Sequence, residues 1–204
     1  MGRPKEHDEE TRLELLDAAE RIIEEGGPGA LSVRAVADAI GVSTRAVYST
    51  FGSKDGLLDA LSQRAFELLT KAISELPQTE HPDRDLVEAA VRVFRPMAIG
   101  HPSLFRLALL RVVPELDVSP DTRTASQEAF GLLIDRFRRL EEAGLLVGHD
   151  PRAAAAVFNA LCEGMATTEL RMAPSRFGPD PEQVWRRAVT VLIAGFARPT
   201  LARD

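Results

Sequence analysis

The sequence predicts an all-α protein of about nine helices. Apolar residues recur every three or four positions along almost the whole chain, which is the period of an amphipathic helix. Residues that favour strands do not alternate with polar residues over any useful length. Glycine or proline stands at the end of most periodic segments. With 204 residues, of which 45% are hydrophobic and 27% charged, the chain is long enough for one or two domains with a buried core.

Composition and charge exclude several classes of protein. The single cysteine excludes an intrachain disulfide and any site built from several cysteines. The longest uncharged stretches, 153–162 and 188–197, are about half of the ~20 residues that a membrane span needs. The N-terminus has no apolar run of the secretory kind, so a cytoplasmic location is expected. Net charge is −6, and the acid is concentrated in residues 6–25, which by itself argues against nucleic-acid binding.

Four helices are expected in the N-terminal part of the chain. The first covers residues 11–25 and ends at a Gly-Gly-Pro-Gly turn. Serines can cap the next three helices, which are expected at 33–40, 44–51 and from about 54 to 76. Gly41 and Gly52 separate them. Residues 77–82 are the best linker candidate.

Five further helices are expected after that linker. They cover residues 83–99, 102–111, 121–143, 151–171 and 181–198, with loops at 112–120 and 173–179. Pro96 should kink or terminate the first of these helices, because it lacks the amide proton that the helical hydrogen bond needs.

Residues 31–54 form the most informative segment, with the sequence LSVRAVADAIGVSTRAVYSTFGSK. Two short helices joined by a tight turn at Gly41 are typical of a helix-turn-helix. The first helix carries one apolar stripe. The second is expected to bury Val47 and Phe51 and to present short or hydrogen-bonding side chains outward, a surface that suits the major groove of DNA.

This segment, together with the first helix and the long fourth helix, resembles the DNA-binding domain of TetR-family transcriptional repressors over residues 11–61. The resemblance rests on the apolar positions and on Gly41, Val42, Tyr48, Phe51 and Lys54. Residues 101–107 and 142–145 resemble a common C-terminal domain of that family. Of the Trp-x-x-x-His-Gly motif of that domain only the glycine is kept, because the aligned residues are Asn159, Glu163 and Gly164.

The resemblance implies an N-terminal DNA-binding domain at residues 1–55 and a ligand-binding and dimerisation domain at 56–204. It implies a homodimer formed by the last two helices, which would hold two recognition helices about 34–36 Å apart on a palindromic operator in double-stranded DNA. A small-molecule effector of unknown identity would bind among the middle helices. Neither a cofactor nor a membrane partner is implied.

Particular side chains are candidates for contact with DNA. Arg45 is the best candidate for reading a base, since a guanidinium can pair with guanine O6 and N7. Tyr48 and Lys54 match phosphate-contacting positions of the family. The full set of DNA-binding candidates is Arg34, Thr44, Arg45, Tyr48, Ser49, Thr50 and Lys54. Arg3 and Lys5 of the N-terminal arm add positive charge, and the acids of the first helix are expected on an opposite, solvated face.

Candidates for contact with an effector are apolar or aromatic residues at helical spacing, joined by three polar residues. Most of the apolar ones are better explained as ordinary core residues. A carboxylate at residue 163 would suit a cationic or hydrogen-bonding ligand, although surface exposure explains it as well. The candidates are Phe94, Met97, His101, Phe105, Phe130, Ile134, Phe137, Phe158, Asn159, Cys162 and Glu163.

An enzyme is not expected. The four histidines are dispersed, and neither a metal-spaced motif nor a nucleophile elbow nor a phosphate-binding loop is present. An alternative to a DNA-binding regulator is a helical small-molecule carrier or interaction protein that retains the helix-turn-helix as a scaffold, and the acidic N-terminal segment supports it. The sequence does not separate repression from activation.

Overall fold

The computed structural model describes residues 5–171 and 179–198, except the side chains of residues 5–8 and 28. Its α-helices are α1 (Lys5–Gly26), α2 (Val33–Ile40), α3 (Thr44–Phe51), α4 (Lys54–Glu75), α5 (Pro82–Ala89), α6 (Arg95–Gly100), α7 (Pro102–Ala108), α8 (Pro120–Glu142), α9 (Pro151–Arg171) and α10 (Pro181–Phe196). A single 3₁₀ turn, Pro28–Ala30, follows α1. The described part of the chain contains no strand, which confirms the all-α prediction.

Helix ends differ from expectation mainly where the sequence is polar. Helix α1 begins at Lys5 rather than at residue 11, because the residues before the apolar stripe are charged helix formers. Helix α7 ends at Ala108, and Arg111 beyond it has a positive φ of 47°. The expected loop at 173–179 lies, apart from its last residue, outside the described residues, as do Arg3 and the side chain of Lys5.

Pro96 does not terminate its helix, so that part of the expectation is wrong. Residues Ala90–Phe94 form a π-helical turn, and the helix continues as α6 to Gly100. A proline ring clashes with the carbonyl four residues earlier and offers no amide proton, and a widened turn just before the proline accommodates both defects. Because α5, the π turn and α6 follow one another without a break, the described residues contain nine separate helical bodies.

The chain divides into two compact units. Unit 1 comprises residues 1–65 and 102–123, and unit 2 comprises residues 66–101 and 124–204. Helix α7 and the loop after it thus group with the N-terminal helices. Helices α4 and α8 each begin in unit 1 and end in unit 2. None of the helices in the described ranges is long and apolar enough to cross a membrane.

Each unit has its own apolar core. In unit 1 the largest fully buried side chains come from α1, the segment before α2, α4 and α7, and they include Leu15, Leu31, Leu57, Leu104 and Phe105. In unit 2 the core is more aromatic. Its largest fully buried side chains are Phe137 on α8, Phe158 on α9 and Trp185 on α10.

Candidate DNA-binding surface and ligand-binding core

Local hydrogen bonds define both ends of α2. The Ser32 side chain caps α2 by accepting a hydrogen bond from the Ala35 amide at 3.1 Å. Gly41 ends the helix in the left-handed conformation, with φ 72°, which only glycine adopts without strain. The Val42 amide then donates to the Ala37 carbonyl at 3.0 Å. These contacts make the turn between α2 and α3 short and fix its direction.

Helix α3 has one buried and one exposed face. The Ser43 side chain caps it by accepting from the Ala46 amide at 3.3 Å. Val47 is buried, while Phe51 is half-buried rather than fully inside as expected. Arg45 is exposed, and Tyr48 exposes 53% of its surface. An aromatic side chain that stays in solvent beside a buried valine shows that this face is not part of the unit 1 core.

The three hydroxyl residues of α3 also lie on its exposed side. Thr44, Ser49 and Thr50 are all exposed. The hydroxyls of Ser49 and Thr50 donate to the Ala46 carbonyl at 2.9 and 3.0 Å. Each hydroxyl oxygen keeps lone pairs that can accept a further hydrogen bond from outside the helix.

Arg34 and two acids of α1 form ion pairs with different partners. Arg34 lies 3.7 Å from Asp38 on α2, and both side chains are exposed. The acids of α1 were expected on a solvated face, but this is wrong for Glu20. That side chain is buried, and together with Asp17 it pairs with Arg64 of α4 at 3.8 and 2.6 Å respectively. Part of the acidic charge of unit 1 is therefore already neutralised by α4.

Sequence reasoning missed the role of Gly56 in mounting α3 on α4. The Ser53 side chain caps α4 by accepting from the Gly56 amide at 2.9 Å. A Cβ atom added at Gly56 would collide with the Phe51 carbonyl oxygen at the end of α3. The first turn of α4 thus packs directly against the last turn of α3. A glycine three residues after a serine cap was the available signal.

The effector candidates fall into three groups. Phe94, Met97, Ile134, Phe137, Phe158 and Cys162 are buried in unit 2, whereas His101, Phe130, Asn159 and Glu163 are half-buried there. Phe105 is buried but belongs to unit 1. Phe158 packs edge-to-face on both Phe94 and Phe137, with ring centroids 5.6 and 5.7 Å apart. Those three predicted residues are therefore brought together in one aromatic cluster.

Two polar candidates form a pair on α9. The Asn159 amide donates to Glu163 Oε1 at 2.7 Å. Partial burial raises the pKa of Glu163 above its ordinary value, and the hydrogen bond from Asn159 offsets this only in part. Burial also raises the pKa of the neighbouring Cys162 thiol, which keeps it protonated and unreactive.

Sequence reasoning missed a second polar cluster in unit 2. Glu169 of α9 accepts hydrogen bonds from Arg95 of α6 at 2.8 and 3.2 Å and from the Trp185 indole of α10 at 2.8 Å. Trp185 is fully buried, so its indole nitrogen needs this partner. The residues are 74 and 16 positions apart, and no periodicity reveals such a contact.

A groove on unit 2 lies outside the predicted effector residues. Its volume is about 380 Å³, and it is lined by Asp83, Arg84, Val87, Leu145, Thr190, Ile193, Ala194 and Ala197. None of the predicted effector residues lines this groove.

A short amphipathic helix, a left-handed glycine turn and a second helix with an exposed polar face define a helix-turn-helix protein of the DNA-binding class. Comparison with known families agrees. The family model of bacterial regulatory proteins of the tetR family matches residues 15–61, and that of the tetracyclin repressor-like C-terminal domain matches residues 87–192. The chain therefore belongs to the tetR family of bacterial regulatory proteins.

Individual relatives extend this result over most of the chain. The HTH-type transcriptional regulator Rv1816 of Mycobacterium tuberculosis is 26% identical over 190 residues, which cover 90% of this chain and 71% of that protein. A structure of a protein of unknown function from Rhodococcus sp. RHA1 has a TM-score of 0.79 and 25% identity, covering 92% of this chain and 95% of that one. FadR of Bacillus subtilis, solved in complex with stearoyl-CoA, shares the fold with a TM-score of 0.73 and 17% identity, covering 90% and 97%.

Proposed function

We propose that the chain is a homodimeric transcriptional repressor that binds a palindromic operator and is released from it by a small-molecule effector. The observation that carries this proposal is the outward face of α3, where Arg45 and Tyr48 stand exposed beside buried Val47. A recognition helix held in this way can place hydrogen-bonding side chains against base edges in the major groove.

Arg45 is proposed to read guanine through O6 and N7, a contact worth about 1–3 kcal/mol of discrimination. In the described ranges no carboxylate lies within ion-pair distance of Arg45 or Lys54, so DNA binding would not have to break such a pair. Thr44, Ser49 and Thr50 are proposed to accept hydrogen bonds from base amino groups through their free lone pairs. To bond a phosphate oxygen instead, a hydroxyl must donate its proton, and Ser49 and Thr50 would then give up their bonds to the Ala46 carbonyl.

Phosphate contacts are assigned to Tyr48, Lys54 and Arg34. The exposed Arg34–Asp38 pair is worth little in water, so Arg34 can exchange it for a phosphate. Lys54 begins α4, where free backbone amides also favour an anion. Two cations in each protomer give about four neutralised phosphates per dimer, which predicts a modest salt slope of about −4 in log K against log salt.

Dimerisation through α9 and α10 is supported by their exposed apolar stripes. On α9 the exposed residues Ala153, Val157, Ala160 and Gly164 recur at helical spacing. On α10 Val184 and Val191 expose 39% and 66% of their surface. Small and β-branched residues in such rows let two helices approach closely and bury apolar surface against a second copy.

The effector is proposed to bind in the interior of unit 2, beside the aromatic cluster of Phe94, Phe137 and Phe158. The Asn159–Glu163 pair would supply the polar anchor. The FadR neighbour binds stearoyl-CoA, so a protein of this fold takes a ligand with a long apolar chain. To weaken operator binding about 100-fold, the effector must favour the non-binding state by about 2.7 kcal/mol.

The experiment that tests this function is selection from a pool of random duplexes with the purified protein. The wild type is expected to enrich a palindrome whose half-sites lie about one helical turn apart or overlap. The variant R45A,Y48A should enrich none while it remains folded and dimeric. Arg21→Ala serves as the matched control, since Arg21 is an exposed arginine of unit 1 that lies outside α3.

Two results would contradict the proposal. Equal enrichment by R45A,Y48A would show that α3 does not read the DNA. No enrichment by the wild type at low salt, with or without added cell extract, would favour the carrier or interaction protein instead. The extract supplies any co-bound small molecule that DNA binding requires.

A further inference from the structure

The groove on unit 2 combines an apolar lining with a few polar groups. Its lining comes from α5, from the loop after α8, and from α10 with its C-cap residue Ala197. Five of the eight lining residues are apolar, and none of the eight is aromatic. Ile193 is buried, and Val87 and Leu145 are half-buried. The volume of about 380 Å³ lies within the range of about 300–1,000 Å³ that small-molecule sites occupy.

Two opposite charges without partners border this apolar lining. Asp83 and Arg84 lie in the first turn of α5, where Asp83 is half-buried and Arg84 is exposed. Consecutive residues of a helix do not face each other, which explains why these two do not pair. Within residues 5–171 and 179–198 neither side chain forms an ion pair or a hydrogen bond. The groove therefore offers one carboxylate and one guanidinium to a ligand.

The walls of the groove are held in place by contacts of the protein itself. Glu88, in the last turn of α5, pairs with Arg186 of α10 at 2.5 Å and holds the two helices together. The Val147 amide in the loop after α8 donates to the Phe196 carbonyl at 2.9 Å, which fixes that loop at the end of α10. A ligand that enters such a preformed groove orders few protein groups, so little conformational entropy is lost on binding.

The residues that line the groove take no part in the roles proposed above. Those of α10 and its C-cap are spaced at i, i+3, i+4 and i+7, so they share one face of the helix. They are Thr190, Ile193, Ala194 and Ala197. Val184 and Val191, which are proposed for dimerisation, lie on a different face. The groove is thus a surface of unit 2 separate from both the dimer contact and the aromatic cluster.

We propose that this groove binds a free α-amino acid with an aliphatic side chain. Arg84 binds the α-carboxylate, which a guanidinium can hold through two parallel hydrogen bonds. Asp83 accepts a hydrogen bond from the α-ammonium group, and the apolar lining covers the side chain. A simple carboxylic acid would place its charge beside Asp83, and a simple amine would place its charge beside Arg84. The paired charges therefore select a ligand that carries both.

The first test measures which parts of the ligand are needed. L-Leucine is titrated into the full-length protein by isothermal titration calorimetry and compared with three analogues. Leucinamide lacks the carboxylate, 4-methylpentanoate lacks the ammonium group, and glycine lacks the side chain. Leucinamide and 4-methylpentanoate should each bind about tenfold more weakly than leucine or worse, because each loses a hydrogen bond to a charged group. Glycine should give no measurable binding.

The second test assigns each ligand charge to its residue. In Arg84→Gln the preference for leucine over leucinamide should vanish, and in Asp83→Asn the preference for leucine over 4-methylpentanoate should vanish. Ala194→Leu fills the groove and should abolish leucine binding. The matched control is Arg187→Gln, an exposed arginine of α10 that does not line the groove, which should bind leucine with wild-type affinity.

An independent readout comes from the stability of unit 2. Trp185 is the only tryptophan and lies buried in unit 2, so its fluorescence during urea unfolding reports that unit. A ligand that binds only the folded state raises the midpoint of unfolding. Leucine should therefore raise the Trp185 midpoint of the wild type and of Arg187→Gln, and it should leave that of Ala194→Leu unchanged.

Three results would overturn the proposal. Leucine at its solubility limit may give neither heat of binding nor a midpoint shift with the wild type. Equal leucine affinity of the wild type and Ala194→Leu would place the binding outside the groove. Equal affinity of the wild type for leucine and 4-methylpentanoate would show that the paired charges do not select the ligand. None of these measurements uses DNA, so their failure leaves the proposed function untouched.

Discussion

The helix-turn-helix and unit 2 differ in how far along the chain their polar contacts reach. In the former, Ser32, Ser43 and Ser53 each cap a helix by bonding an amide three residues ahead. In unit 2, Glu169 and Arg95 are 74 positions apart, and Arg186 and Glu88 are 98 apart. Local contacts set the geometry of the helix-turn-helix, whereas unit 2 depends on charged pairs between helices that are distant in the sequence.

This difference has a consequence for function. A recognition helix defined by local caps keeps its shape while its exposed side chains vary, because those side chains contribute little to folding. The interior of unit 2 is instead a network in which one substitution leaves several groups unpaired. The substitutions below test this difference between the helix-turn-helix and unit 2, beginning with the substitution of largest expected effect.

Arg45→Ala should abolish most operator affinity without a cost in stability. If each protomer loses one guanine contact of about 1–3 kcal/mol, the dimer loses affinity by a factor of about 30 or more. Anisotropy titration of the selected duplex measures the loss, and thermal unfolding checks the fold. Arg21→Ala should bind as the wild type does. An operator affinity of Arg45→Ala within threefold of the wild-type affinity would contradict the proposal that Arg45 reads a base.

Glu169→Ala should have the largest effect on the stability of unit 2. It leaves the guanidinium of Arg95 and the buried indole of Trp185 without their partner, at a cost of about 3 kcal/mol. Urea unfolding, monitored by circular dichroism, measures this loss of stability. Glu182→Ala, an exposed acid on α10, should cost far less. If both substitutions lower the free energy of unfolding equally, the hydrogen bonds of Glu169 with Arg95 and Trp185 do not stabilise unit 2.

Gly56→Ala and Gly131→Ala should move stability in opposite directions. A Cβ at residue 56 collides with the end of α3 and should cost about 2 kcal/mol. A Cβ at residue 131 on α8 meets nothing within 4 Å and should stabilise the helix by about 0.5–1 kcal/mol. Differential scanning calorimetry compares the two. The close approach of α4 to α3 would be refuted by a Gly56→Ala protein as stable as the wild type.

Asp85 of α5 should give the stability of unit 2 a small dependence on acid. Burial alone would raise the pKa of Asp85, but hydrogen bonds from Arg139 and Thr79, together with the Arg139 charge, hold it below its ordinary value. A carboxyl whose folded pKa is lowered stabilises the protein above its unfolded pKa of about 3.9 and loses that contribution as pH falls further.

Urea midpoints measured through Trp185 should therefore drop below about pH 4 in the wild type, and this drop should be smaller in Asp85→Asn. Glu128→Gln, an exposed carboxyl on α8, controls for general effects of acid. Identical pH profiles for the wild type and Asp85→Asn would show that Asp85 titrates as an ordinary carboxyl.

The sequence was most informative where structure is local. Gly41, Gly52 and the serine caps predicted α2 and α3 to the residue, because each signal bonds within a few positions. The π turn before Pro96 was not predicted, since a proline inside a helix can be accommodated in several ways. The hydrogen bonds from Arg136 of α8 to the end of α4 were equally hidden, and so were the partners of Glu169. Their residues meet only after the helices have packed, and nothing in their spacing pairs them.

The most direct test of the account is to locate α3 on the DNA. Cys162 is the only cysteine and is buried, so a cysteine placed at Ser49 can be labelled selectively with an iron chelate that cleaves nearby DNA. On the duplex selected by the wild type, cleavage should fall in two clusters about one helical turn apart, each centred on a major groove. Cleavage spread evenly along the bound duplex, or confined to one minor groove, would contradict the assignment of α3 as the recognition helix.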